Sequence, residues 1–197
     1  MRSIPTILTY IAVARAATIA SRSYPPPPGP WTAGVWRPPT EEGLPFFFGN
    51  GINASNGYFW LGKNATAYCP SGIEGLDCSA YPGSSTVFAG GNDTVSLLVG
   101  VPGGQQVYVE ASGALAYTKP HSAALPDGAL TTGFQRVISE AAGAPTVLSF
   151  TGKNWLLCPV DGSEDVYQIF LGAYTADCLP FQMRTYSPAE LNAWEYV

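Results

Sequence analysis

From Phe46 onward, short apolar runs alternate with clusters of glycine, asparagine and other turn-forming residues. Tyr58-Phe59-Trp60-Leu61 ends at Gly62-Lys63-Asn64, and Thr86-Val87-Phe88-Ala89 ends at Gly90-Gly91-Asn92-Asp93. Thr94 to Val101 follows, and Gln105 to Glu110 alternates its side chains with a period of two. Ala114 to Tyr117 follows a Ser112-Gly113 turn, Thr146 to Phe150 leads through Gly152-Lys153-Asn154 to Trp155–Cys158, and Asp165 to Leu171 closes the series. A two-residue period bounded by turn formers predicts half-buried strands. Gly62-Lys63-Asn64 and Gly152-Lys153-Asn154, each followed by Cys-Pro, flank the Ser112-Gly113 turn, so three related hairpins point to threefold pseudo-symmetry. The expectation is a single compact all-β domain over residues 46–187, with a β-trefoil-like barrel favoured and a two-sheet β-sandwich as the alternative. One helix is expected in the tail 188–197, where Ser187-Pro188-Ala189-Glu190 combines a capping serine, a first-turn proline and a capping-box glutamate.

The first 45 residues read differently. Met1-Arg2, the mostly apolar Ile4–Ala14 and Ala14-Arg15-Ala16 form a secretory signal over residues 1–16, cleaved after Ala16 or Ala17. The rival reading is a buried first element. The apolar run is far short of the roughly 20 residues that span a bilayer, so no membrane partner is expected once the signal is removed. Residues 17–45 form an N-terminal segment with a proline-rich block at 24–45, from Tyr24-Pro25-Pro26-Pro27-Pro28 to Trp31, Trp36 and Arg37-Pro38-Pro39. Polyproline II is favoured there, as a linker or surface insertion, with a ligand for a proline-binding groove as the functional alternative.

Composition narrows the function. The chain has 197 residues, 22 glycines and 18 prolines, with 12% charged residues and a net charge of −5. Gly and Pro at this density oppose a helical bundle. Arg2 and Arg15 leave with the signal, so seven basic residues then face 14 acidic ones, formally −7. A phosphate-backbone binder is excluded on that balance, and no nucleic-acid partner is expected.

Two features fit an oxidising secretory route. Cys69, Cys78, Cys158 and Cys178 are an even set with three possible connectivities; Cys69–Cys78 and Cys158–Cys178, which close short local loops, are favoured. No pair has C-x-x-C spacing and His121 is the only histidine, so neither a metal nor another cofactor is expected. Asn53-Ala54-Ser55, Asn64-Ala65-Thr66 and Asn92-Asp93-Thr94 are N-glycosylation sequons at Asn53, Asn64 and Asn92.

No catalytic residue is assigned, and the chain is expected not to be an enzyme. No G-x-S-x-G elbow accompanies His121. Asp161, Glu164 and Asp165 are candidate glycosidase carboxylates, but a Gly-Ser loop between two strands makes a solvated role the better reading. A carbohydrate platform is the better binding hypothesis, built from Tyr58, Trp60, Tyr108, Tyr117 and Trp155; core packing is the competing role for each.

Val101-Pro102-Gly103-Gly104-Gln105-Gln106-Val107-Tyr108-Val109, with Ser112-Gly113-Ala114-Leu115, Tyr117-Thr118 and His121-Ser122, resembles a family of small secreted fungal proteins named as IgE-binding proteins and related to the cell-wall protein PhiA. Asn53-Ala54-Ser55, Phe59-Trp60-Leu61-Gly62-Lys63, Tyr68-Cys69-Pro70, Thr86 to Gly90, Leu157-Cys158-Pro159 and Tyr167-Gln168-Ile169-Phe170 extend the likeness across about residues 46–185. The last of these segments, with Cys178, resembles more loosely the C-terminal domain of yeast wall proteins with internal repeats. Ala17-Thr18-Ile19 with Ser21-Arg22-Ser23 resembles the start of the family's mature chain and is a candidate first strand; the block at 24–45 departs from the family pattern. The resemblance implies a secreted, wall-associated protein without assigned catalysis. Cell-wall polysaccharide or matrix and host IgE are the partners it implies.

Overall fold

The computed structural model describes residues 29–37, 47–138, 145–172 and 177–197. The proposed signal peptide and the candidate first strand at 17–23 lie outside them. Fourteen strands are formed among the described residues: β1 (Thr32–Arg37), β2 (Phe47–Gly51), β3 (Asn53–Ser55), β4 (Tyr58–Leu61), β5 (Ala67–Tyr68), β6 (Phe88–Leu97), β7 (Gln105–Val109), β8 (Leu115–Tyr117), β9 (Phe134–Ile138), β10 (Thr146–Phe150), β11 (Asn154–Pro159), β12 (Tyr167–Gly172), β13 (Leu179–Tyr186) and β14 (Glu195–Tyr196). A single 3-10 turn, Cys78–Ala80, is the only helical element among them.

Twelve strands make one sheet in the order β10-β9-β6-β7-β8-β4-β12-β11-β13-β1-β2, with β3 on β4. A further pairing of β10 with β13 bends that order back on itself into a barrel-like wall. The eight residues of β13 allow this. Leu179–Phe181 pair with β11, while Met183 faces Val35 of β1 on one side and Leu148 of β10 on the other. The all-β expectation and its barrel are therefore met. Of the three expected hairpins, only β7–β8 pairs as one, with Val109 opposite Leu115; β5 pairs with β14, and β10 and β11 both run along β13.

The wall closes around an aromatic core. Trp31 stacks on Phe88 at 4.6 Å between centroids, Phe88 on Phe59 at 5.4 Å, and Phe59 meets Tyr117 edge-on at 5.3 Å. Phe134 contacts Phe150 and Trp155 at the other end. Trp31 exposes nothing to solvent, and Ala33 and Val35 are buried beside it. Part of the block expected to be a linker is thus a core strand. Prolines bracket it at Pro30 and Pro38, but the seven residues between carry no proline, and every second side chain of the strand, Ala33, Val35 and Arg37, is buried.

The expected tail helix is absent. Residues 189–197 give their backbone bonds to other segments: Ala189 N–H donates to Pro30 O, Asn192 O accepts from Gly83 N–H, Ala193 O from Gly100 N–H, and Trp194 O from Val101 N–H. β14 pairs with β5. A short helix satisfies few of its own peptide groups, so long-range partners outcompete it.

Gln105 secures that tail. Its side chain is buried, donates through Nε2 to Thr118 O (3.0 Å) and Tyr196 O (2.9 Å), and accepts at Oε1 from Tyr196 N–H (2.8 Å). The Tyr196 phenol donates to Ser85 O at 2.7 Å and accepts from Val87 N–H at 3.2 Å. The Tyr117 phenol donates to Val197 O at 3.2 Å and accepts from Gly57 N–H at 3.1 Å. Burial pushes both phenols up to about 12.

Both favoured disulfides are formed, Cys69–Cys78 and Cys158–Cys178, and no free cysteine remains.

Replacing Gln105 with Leu leaves the Tyr196 amide and carbonyl and the Thr118 carbonyl buried without those partners. Each unmet group costs about 1–3 kcal/mol. A lowered urea midpoint and faster proteolysis at 189–197 are expected; an unchanged midpoint would refute the clasp. Alkali tests the phenols. Below pH 10 both are neutral folded and unfolded. Between 10 and 12 only the unfolded chain loses those protons, so stability falls by about 1.4 kcal/mol per pH unit for each tyrosine. Urea midpoints measured from pH 9 to 12 should drop, and less steeply in Tyr196→Phe; a flat profile would exclude the effect.

Candidate functional site

Two recesses open on the described surface. The smaller, about 470 Å³, lies over β4, β12 and the turn after β7, and is lined by Asn56, Tyr58, Trp60, Lys63, Glu110 and Gln168 among others. Strand geometry gathers these groups. Tyr58 and Tyr108 both sit opposite Ala116 of β8, one from each side, and Gln168 of β12 sits opposite Trp60. Tyr58 and Trp60, two apart on β4, share a face and meet edge-on at 6.4 Å.

Hydrogen bonds and charge hold the recess in shape. The Tyr58 hydroxyl donates to Glu110 Oε1 at 3.2 Å, and Ser112 Oγ donates to Glu110 Oε2 at 3.1 Å. Trp60 Nε1 donates to Ser55 O at 2.8 Å, which fixes the indole. Lys63 Nζ lies 3.3 Å from the Trp60 ring centroid, a cation–π contact that caps the indole face. Desolvation, then the negative charge of Glu110, push the Tyr58 and Tyr108 phenols above their ordinary value. The phenols stay protonated, and the recess offers flat aromatic edges beside an amide, an ammonium and a carboxylate.

The larger recess, about 710 Å³, is bounded by Tyr68, Tyr117, Lys119, His121, Trp194 and Glu195, among others. Tyr68 is well exposed there. His121 is an exposed turn residue with a left-handed backbone, φ 57°, on the rim.

Of the five aromatic candidates, Tyr58, Trp60 and Tyr108 lie on one face of the sheet, with Trp60 and Tyr108 buried in it and Tyr58 half-buried. Tyr117 is buried and spends its hydroxyl on the tail, although it also borders the larger recess. Trp155 is core: its Nε1 donates to Leu148 O at 2.7 Å and its ring stacks on Phe134. Asp161, Glu164 and Asp165 are all exposed in the turns between β11 and β12. Asn64 and Asn92 are exposed, whereas the Asn53 amide is half-buried and donates to Lys63 O at 2.9 Å. Sequence reasoning passed over Glu110, Lys63 and Gln168. Their signal is positional: Lys63 lies three residues beyond Trp60, and Glu110 shares the face of Tyr108 two residues along the chain.

Among the described residues no three His, Cys, Asp or Glu side chains gather as a metal site, and no helix is long and apolar enough to cross a membrane.

The model of the PhiA-like secreted protein family matches residues 48–197. An uncharacterized secreted protein of Arthroderma benhamiae is 35% identical over 156 residues, covering 74% of this chain and 76% of the relative. No solved structure matches the chain. The matched span runs from β2 through β14 and takes in both disulfides, both recesses and the docked tail. The chain is thus a secreted protein and belongs to the PhiA-like secreted protein family.

Proposed function

We propose that this protein is a non-enzymatic component of the fungal cell wall or extracellular matrix. The observation that carries the reading is how the reactive side chains are used. Each recess is lined by a single acidic side chain, Glu110 in one and Glu195 in the other, whereas glycoside hydrolysis ordinarily needs a carboxylate pair across the scissile bond. The acidic triplet 161–165 points to solvent, and the buried tyrosines and Gln105 bond to the protein itself. Membership in a secreted family, two disulfides and exposed sequons support residence outside the cell. Host IgE, on this reading, recognises the protein as an antigen and is no part of its work for the fungus.

Cell fractionation tests the proposal: the protein is expected in the wall or medium, with blocked thiols. Peptide mass spectrometry should find glycan on Asn64 and Asn92 and none on Asn53, whose amide is engaged. A cytosolic, unglycosylated protein with free thiols would refute it.

A lectin-like reading is favoured by one arrangement, the Tyr58–Trp60 edge beside Glu110 and Gln168. Aromatic contacts of this kind are worth about 0.5–1.5 kcal/mol, so Trp60→Ala should weaken glycan binding several-fold. A glycan array that stays blank at high protein concentration would remove this reading.

A further inference from the structure

The outer face of β2, β1 and β13 holds a second aromatic group, away from both recesses. Trp36 of β1 sits opposite Phe48 of β2, and Arg184 of β13 sits opposite Gly34. Phe48 is 66% exposed and Tyr186 44% exposed. The Arg184 guanidinium carbon lies 4.2 Å from the Trp36 ring centroid and 5.9 Å from that of Phe48.

Two glycines shape this face. A Cβ on Gly34 would stand 2.8 Å from the Tyr186 ring and 3.3 Å from Gly49 O, and a Cβ on Gly49 would meet the Tyr186 hydroxyl oxygen at 3.6 Å. The Tyr186 ring therefore lies across the bare backbone of β1 and reaches β2. A side chain at Gly34 would lift it. Four residues of β1, about 13 Å, separate the Trp36 and Tyr186 rows.

We propose that this face is a platform for a neutral, β-linked polysaccharide, whose pyranose rings lie on the aromatic faces. Charge decides the occupant. β1, β2, β9, β10 and β13 contain no Asp or Glu, in a chain with 14 acidic residues. The exposed flanks, Gln182 and Gln135, are amides. A hydroxyl-rich neutral chain lying along these strands meets no strand carboxylate that must be desolvated. The terminal guanidinium nitrogens of Arg184 supply donors to its oxygens. A glucan and a chitin share this chemistry.

The inference rests on wall residence as the setting, yet purified components test it alone. Disulfide-intact protein is sedimented with insoluble β-1,3-glucan and, separately, with chitin particles, and the bound fraction is titrated. Binding to at least one is expected, and the arm that binds identifies the source. Tyr186→Ala should weaken it about tenfold, as loss of a stacking ring predicts. Gly34→Ala, which keeps every aromatic residue but displaces Tyr186, should weaken it several-fold. Asp161→Asn, in an exposed turn between β11 and β12, should bind as wild type. Tyr186 is largely exposed, so its variant carries the test even if Trp36→Ala fails to fold. No binding to either particle, or wild-type binding by Tyr186→Ala and Gly34→Ala, would overturn the proposal. So would a concentration-dependent dimer abolished by Phe48→Ser with no polysaccharide bound. A protein found only in the culture medium would sink wall residence while leaving particle binding intact.

Discussion

Three hydrogen bonds from one buried amide, two to the backbone of Tyr196 and one to Thr118 O, organise this end of the barrel. Gln105 can both donate and accept without carrying charge, so it meets the N–H and C=O of Tyr196 as a neighbouring strand would. A charged residue at this depth would bring a desolvation penalty, and an apolar one would leave a peptide unit unpaired. The dependence spreads outward from there. Tyr196 anchors Ser85 and Val87, the next residue Phe88 exchanges backbone bonds with Trp31, and Trp31 immediately precedes β1. The tail and the N-terminal strand, far apart in sequence, are thus held through one short segment.

The strands from Phe46 onward were legible because a period of two and glycine-rich turns are local signals. The disulfide pairing was legible for the same reason, since both loops are short. Two elements were not. β1 was hidden by its neighbours: prolines at 25–28, 30, 38 and 39 dominate the composition of the block, while the seven residues from Trp31 to Arg37 carry none and bury Ala33, Val35 and Arg37 at a period of two. The tail was misread because Ser187-Pro188-Ala189-Glu190 is a good local helix start. Its actual partners, Pro30, Gly83, Gly100 and Val101, lie far upstream and leave no mark on the local pattern. Threefold pseudo-symmetry likewise came from similar turns, and turns do not dictate which strands pair across the barrel.

The candidate sites divide in the same way. Tyr58 and Trp60 were legible as a pair because they are two apart on one strand, and Tyr108 joins them through β8. Trp155 and Tyr117 resemble them in sequence, each near a turn, yet one donates inward to Leu148 and the other to Val197. Whether an aromatic ring faces solvent depends on the strand's register in the barrel, which single-chain patterning does not carry. The Trp36–Arg184–Tyr186 face shows this most clearly, because it assembles β1 with a strand almost 150 residues later. Glu110 gained its importance only from standing beside Tyr58.

The separation between Gln105 and Tyr196 also has a temporal meaning. These two residues are 91 positions apart, and Ser85 and Tyr196 are 111 apart. During synthesis, β7 emerges with its amide and must wait for nearly half the chain before its partner arrives. Until then the aromatic core has one open side, and contacts of such long span form slowly. Cys69 and Cys78 face no such wait, being nine residues apart. The Cys69–Cys78 loop can therefore close on local chain alone, whereas the barrel is sealed only once the tail has been made.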